Sequence, residues 1–203
     1  KLDLKSGLLK RSLAFLDKLN NTKFREEISN LLDYGMMRYK DMYANHDENN
    51  LVLYGKYSRK DVCRLMNWDK DESSTMYGYR IKHGTCPIFV TYEKKDDISE
   101  STKYEDQFIN QKTFSWLTRS NVAIDNRESQ EIINYKNSGL KIVLFIKKSD
   151  GEGTDFYYMG EVVPKSWMQK TIKNNKGKEL PIMNFIFELE HSVREDIYEY
   201  LTN

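Results

Sequence analysis

Around residues 45–50 the spacing of apolar side chains changes, and one regular element cannot span the change. Before it, Leu4, Leu8, Leu9, Leu13, Leu16 and Leu19, then Phe24, Ile28, Leu31, Leu32, Tyr39 and Met42, fall at the spacing of amphipathic helices. Asn20, Asn21 and Thr22 interrupt the run, and the Thr22 hydroxyl is placed to cap a second helix by accepting from an orphan backbone N–H. The sequence therefore predicts a helical hairpin over residues 1–48. Residues 45–50 contain no apolar side chain and read as a linker into a second kind of structure.

From Leu51 the pattern becomes that of strands, predicted over residues 51–57, 77–82, 88–94, 113–118, 141–147, 156–163 and 182–189. Ser58 followed by Asp61 marks the start of a short helix ending near Trp68. A second helix is predicted over residues 129–135, stopped by Gly139, and a third over residues 193–201. Residues 149–153 and 173–178 read as turns joining strands, with glycines where positive φ is needed. The fold class is thus α+β: an N-terminal helical hairpin, then a mainly antiparallel β-barrel over residues 51–203.

Composition excludes a global electrostatic mechanism. Lys and Arg number 32 against 31 Asp and Glu, so any affinity for a polyanion must come from local clusters. Aromatic residues make up 13%, with 14 tyrosines, more than a core of this size needs, which points to rings at a surface or pocket. Two cysteines without close pairing and three scattered histidines support neither a disulfide framework nor a zinc motif. No apolar run is long enough to span a bilayer and no signal peptide is evident, so no membrane partner is expected and the cytoplasm is the expected compartment. The chain opens on Lys1 within a helical pattern and reads as a fragment of a longer protein.

Catalytic constellations are weak throughout. There is no phosphate loop, since Gly151 and Gly153 lie in a turn between strands. His83 and Cys86 are three residues apart but read as strand-edge residues, and Asp69, Asp71, Glu72, Asp96 and Asp97 as solvated acids of polar turns. A binding constellation fits better. In a strand, Tyr77 and Tyr79 would share a face with Gly78 leaving the backbone open, and Phe114, Trp116 and Thr118 would do the same. Phe156, Tyr157 and Tyr158 must place rings on both faces, and Asp155 beside them can accept from an exocyclic amino group such as that of cytosine. Tyr77, Tyr79, Trp116, Thr118, Asp155 and Tyr158 are therefore the candidate base-binding set. Any one of these rings could equally fill the core. Arg59, Arg64, Arg80, Arg119, Ser120, Asn121, Lys173, Lys176 and Lys178 are the candidate DNA-backbone contacts.

The stretches 57–68 (YSRKDVCRLMNW), 77–79 (YGY), 86–92 (CPIFVTY), 114–120 (FSWLTRS) and 148–160 (KSDGEGTDFYYMG) resemble the C-terminal domain of unknown function that is fused to phospholipase-D-like nucleases and superfamily 2 helicases. The resemblance covers most of the chain after Leu51. It implies the target-recognition domain of a type IV modification-dependent restriction enzyme, reading double-stranded DNA with 5-methylcytosine or 5-hydroxymethylcytosine. A barrel like that of the SRA and PUA superfold would do so by taking the base out of the helix. It also implies that this stretch needs no cofactor and is no enzyme, with ATP and a divalent metal belonging to N-terminal nuclease and helicase domains of the same polypeptide. A different class of role stays open: a coupling or dimerisation module of the same machine.

Overall fold

Ser12 and Asn21 start the helices of the N-terminal part. The computed structural model describes residues 11–43, 51–93, 106–174 and 177–203, with the two-residue strands β1 (Leu2–Asp3) and β2 (Leu8–Leu9). Helix α1 (Leu13–Lys18) follows Ser12, whose Oγ accepts from Phe15 N at 3.2 Å. Helix α2 (Thr22–Tyr43) follows Asn21, whose Oδ1 accepts from Phe24 N at 3.1 Å. Thr22 is thus the first residue of α2, and the cap is its neighbour, because an amide oxygen serves that position as well as a hydroxyl does. The Phe15 and Phe24 rings meet edge-on at 6.0 Å, joining the two helices. The leucine spacing predicts a helix back to Leu2, whereas β1 and β2 pair antiparallel there. Contacts divide the chain into Lys1–His46 and Asp47–Asn203, and the predicted linker at residues 45–50 lies outside the described residues.

The second unit is built on a sheet ordered β4 (Thr85–Thr91), β7 (Lys141–Lys147), β8 (Asp155–Lys173), β9 (Glu179–Leu189), β6 (Thr113–Leu117), β5 (Gln107–Asn110), with β3 (Lys56–Ser58) also pairing with β8. Every pairing is antiparallel except β4 with β7. Helices α3 (Arg59–Leu65), α4 (Arg127–Ile133), α5 (Tyr135–Ser138) and α6 (Glu195–Thr202) complete the fold. The α+β expectation holds, and the barrel takes the form of a curled half-barrel. Register shifts at two places in β8, one beside Gly160 at φ +94° and one at Lys165, supply the bends, since an extra residue on one strand of a pair turns that strand and raises its twist.

Strand β7 shows why the sequence here is apolar without interruption. Ile142, Leu144 and Ile146 enter one core with Ile88, Trp116, Phe185 and Phe187, while Val143 and Phe145 enter a second core with Phe89, Phe156, Tyr158 and Val62. A central strand covered on both faces needs apolar residues at every position. Ser58 caps α3 in a reciprocal box: its Oγ accepts from Asp61 N at 3.2 Å and Asp61 Oδ2 accepts from Ser58 N at 3.1 Å, as the spacing predicts.

Some predicted elements of the second unit change. Residues 77–82 make only the isolated bridges Tyr79–Ile88 and Lys82–Thr85, because Gly78 at φ +76° and His83 at φ +49° break the extended backbone. The strand over 51–57 shrinks to β3, since Gly55 N donates to Val52 O in a turn and Tyr54 stands at φ +65°. The helix over 129–135 begins at Asn126, whose Oδ1 accepts from Glu128 N at 2.9 Å, and divides into α4 and α5 before Gly139 ends it at φ +66°. Strand β5 carries too short an apolar signal to be predicted.

Candidate functional site

The candidate base-binding residues separate into buried and exposed groups. Tyr77 is 74% exposed and Tyr79 is 1% exposed, so the two do not share a face as a strand would require; the positive φ of Gly78 turns the chain between them. Tyr79 lies edge-on to Trp116 at 4.9 Å, and its hydroxyl donates to Glu128 Oε2 at 2.8 Å. Burial, reinforced by that carboxylate, pushes the Tyr79 phenol well above its ordinary range. Phe114 and Trp116 do share a face, and Trp116 also packs on Phe185 and Phe187. The Thr118 hydroxyl is buried, accepting from Met183 N at 3.0 Å and donating to Arg119 O at 3.1 Å. Phe156 and Tyr158 lie in the second core while Tyr157 packs against the first, so aromatics do occupy both faces. Asp155 is exposed and accepts from Thr154 Oγ1 at 3.0 Å. The sheet thus stands between Tyr79 with Trp116 on one side and Tyr158 on the other.

The candidate backbone contacts fall in three places. Arg80 and Arg119, joined by Arg127, line a cleft of about 320 Å³ that also holds Ile81, Glu128 and Glu131. Each arginine already has a carboxylate: Arg80 Nε lies 2.6 Å from Glu72, Arg119 2.5 Å from Glu128, and Arg127 2.6 Å from Glu131. Arg119 also lies over the Tyr79 ring at 4.9 Å. The cleft is a mixed-charge surface, able to hold a polar ligand by exchanging these partners.

The second place is the β8–β9 hairpin. Beyond Pro164, β8 pairs with β9 alone, and residues 165–173 are exposed or half-exposed throughout. Residues 166–168 lie opposite the part of β9 that pairs with β6, so the two-stranded arm is 169–173 with 179–183, roughly 17 Å at strand spacing. Lys173 and Lys178 stand exposed near its tip, and Trp167 and Met168 are 39% and 56% exposed at its base. Lys176 lies outside the described residues. Ser120 and Asn121 are exposed, Asn121 at φ +66°, in a loop held to the arm by Val122 N donating to Pro181 O at 3.1 Å and Ile124 N donating to Gln169 Oε1 at 2.8 Å.

The third place is α3, where Arg64 is exposed and Arg59 is half-buried over the Phe89 and Phe156 rings. Trp167, Glu72, Glu128 and Glu131 carry no sequence signal that marks them as site residues. Trp167 falls where strand β8 was expected to have ended, and the acids carry no pattern that separates a partner of arginine from a solvated charge.

Of the other groups weighed from sequence, Cys86 is fully buried in the first core, where burial pushes its thiol well up, and His83 is exposed with Nε2 3.1 Å from Asp69. Asp96 and Asp97 lie outside the described residues. Among the described residues no three His, Cys, Asp or Glu side chains gather at a metal-sized site, and no helix is long and apolar enough to cross a membrane.

Residues 69–83 are tied together by charge. Glu72 pairs with both Lys82 and Arg80, and Lys82 also lies 2.7 Å from Asp69. Hydrogen bonds from Lys82 hold the Glu72 carboxyl below its ordinary range, and those from Lys82 and His83 do so for Asp69. A carboxyl depressed on folding contributes stability above its unfolded value and loses it as pH falls through the folded one. Glu72→Gln is therefore expected to lower the urea midpoint at about pH 7, with the difference from wild type closing as pH is brought toward about 2.

The described residues thus form a curled, mainly antiparallel sheet with a basic arm and a charged cleft. Residues 51–201 match the family described as "Domain of unknown function (DUF3427)", and the chain belongs to that family. No curated protein matches the sequence. Among solved structures the chain is similar to the DNA modification-dependent restriction endonuclease AspBHI, with 13% identity and a TM-score of 0.49 over 71% of this chain and 43% of that one. It is also similar to the MspJI restriction endonuclease in complex with a 27-mer oligonucleotide, with 8% identity and a TM-score of 0.41 over 56% of this chain and 32% of that one. A third similarity is to the sulfur-binding and SRA domains of ScoMcrA complexed with phosphorothioated DNA, with 8% identity and a TM-score of 0.42 over 80% of this chain and 49% of that one. The chain spans less than half the length of each of these proteins.

Proposed function

We propose that this chain is a recognition domain for double-stranded DNA carrying 5-methylcytosine or 5-hydroxymethylcytosine, read after the base is turned out of the helix. The observation that carries the reading is the β8–β9 arm: a two-stranded ribbon with exposed lysines at its tip, an exposed tryptophan at its base, and the Arg119–Ser120–Asn121 loop bound to its side. A ribbon of that kind fits the width of a DNA major groove, lysines supply phosphate neutralisation, and exposed rings offer stacking surfaces. Tyr77 and Asp155 are the base contacts that solvent reaches. Tyr79, Trp116 and Thr118 on one side of the sheet and Tyr158 on the other act from within, holding the strands that carry the surface.

The domain takes no cofactor and performs no catalysis itself. Cleavage belongs to nuclease and helicase domains of the same polypeptide, using ATP and a divalent metal, in the cytoplasm. One observation favours a coupling role for the N-terminal unit: Leu31, Leu32, Met36 and Met37 of α2 are 53–65% exposed.

The test is a fluorescence-anisotropy titration of this chain with duplexes that differ only at one cytosine. Modified duplexes are expected to bind roughly 10–200-fold more tightly than the plain one, the range that one methyl-sized contact supplies. Equal affinities for all duplexes would overturn the reading. 2-Aminopurine placed opposite the modified base reports flipping as a rise in fluorescence.

A further inference from the structure

We propose that the cavity built on Arg59 is a seat for a phosphate group, occupied by a backbone phosphodiester of bound DNA; the identity of the occupant rests on the DNA-reading proposal, and the seat itself does not. The cavity, about 340 Å³, is lined by Ser58, Arg59, Lys60, Ser73, Ser74 and Thr154. It lies apart from the cleft of Arg80, Arg119 and Arg127, with which it shares no lining residue.

Arg59 differs from the arginines of the cleft in what it lacks. Arg80, Arg119 and Arg127 each hold a carboxylate, whereas among the described residues Arg59 Nε is buried without any hydrogen-bond partner. A charged donor left in that state is costly; Nε itself has no exposed surface, and an acceptor in the cavity that meets the Nη edge of the same guanidinium offsets the cost. The guanidinium is also fixed in place, 5.0 Å from the Phe156 ring centroid and 5.4 Å from that of Phe89, so its fork is presented without loss of side-chain freedom on binding. Asp150 is the acid whose field reaches it, but Asp150 lies 2.9 Å from Lys147, a second cation that stands 5.0 Å from the Phe156 ring centroid. Burial accordingly pulls the Arg59 guanidinium below its ordinary range.

The remaining lining residues select the shape of the anion. Donors come from three separate segments: Arg59 and Lys60 from α3, Ser73 and Ser74 from the turn after Glu72, and Thr154 from the entry to β8. Oxygens spread tetrahedrally about phosphorus can meet donors from three directions, which a planar carboxylate cannot. The Ser73 and Thr154 hydroxyls now donate to Asp71 and Asp155 and can rotate to the anion; Lys60 lies 3.8 Å from Asp71 and can swing likewise. Ser58 takes no part through its hydroxyl, which is committed to Asp61.

The experiment follows the Arg59 Nε–H resonance of the whole 203-residue chain by ¹⁵N–¹H correlation spectroscopy, the peak being assigned by its loss in Arg59→Lys. Inorganic phosphate and an unmodified duplex are titrated separately. A saturable shift with both is expected, and Arg59→Lys and Ser74→Ala are expected to weaken phosphate binding, read from the remaining shifts, by about tenfold and by less, respectively. Ser74 is exposed, so its variant tests the seat even if a change at Arg59 disturbs folding. A shift with phosphate but none with a duplex that binds keeps the seat and overturns DNA as its occupant. A shift with phosphate when no duplex binds keeps the seat and counts against DNA reading instead. No shift with either ligand, or a linear drift shared by all arginines, overturns the seat, and duplex binding measured in the same samples then shows that the DNA reading stands by itself.

Discussion

Trp116→Ala is expected to lower the stability of the domain by about 3–5 kcal/mol, read as a fall in the urea midpoint with little change in slope. The ring is 3% exposed and touches Tyr79 at 4.9 Å, Phe187 at 5.7 Å and Phe185 at 5.9 Å between centroids. Its neighbours come from β9 and from the bridge at Tyr79, so the cavity left by alanine would have walls from separate elements, with little freedom to collapse. Tyr79 above it is held by the Glu128 bond and the Arg119 guanidinium. Loss of the ring should therefore also loosen the Arg80–Arg119–Arg127 cleft, visible as faster amide exchange in the 118–121 loop. A variant whose unfolding free energy stayed within about 1 kcal/mol of wild type would mean that Trp116 is not a structural ring, and would return it to the surface role its strand position suggests.

This outcome bears on what the sequence could tell. The alternation of Phe114 and Trp116 is visible in the letters and is found in β6, as is the uninterrupted apolar run of β7. The Ser58–Asp61 box and the Gly139 stop were legible for the same reason: each depends on residues three or four apart. What could not be read is whatever depends on partners far along the chain. Tyr77 and Tyr79 differ in fate because Tyr79 bridges to Ile88 and meets Glu128, 49 residues away. The assignment of rings to one core or the other follows from strand order, in which β4 lies beside β7 across a long crossover, and no local spacing encodes that order. Strand β8 runs on to Lys173 because β9 accompanies it, so Trp167 was hidden beyond a predicted strand end at Val163. The candidate site was therefore legible as chemistry, rings and cations, while its division into a supporting core and a reactive surface was not.

Replacing both exposed lysines near the arm tip, Lys173→Gln with Lys178→Gln, is expected to weaken binding of modified and plain duplexes by the same factor. Lysines that meet phosphate carry no sequence information, so the ratio of affinities that defines recognition should stay where it is. The loss should depend on salt. Each phosphate contact contributes about 0.9 to the slope of log K against log salt concentration, so removing two lowers the slope by about 1.8. That corresponds to about 60-fold in affinity over a tenfold change in salt, and the double variant should approach wild type as salt rises. Stability should hardly change, since both side chains are exposed and the hairpin is closed by backbone bonds, Asn174 N donating to Lys178 O at 2.9 Å and Gly177 N donating to Asn174 O at 2.8 Å. Trp167→Ala in the same series separates charge from stacking. A ring that stacks on a base contributes roughly 1–3 kcal/mol that salt does not screen, so its loss should shift the salt plot downward without changing its slope. An unchanged slope in the lysine variant would remove the arm from the DNA interface and leave Arg59, Arg64 and the arginine cleft as the surfaces that carry it.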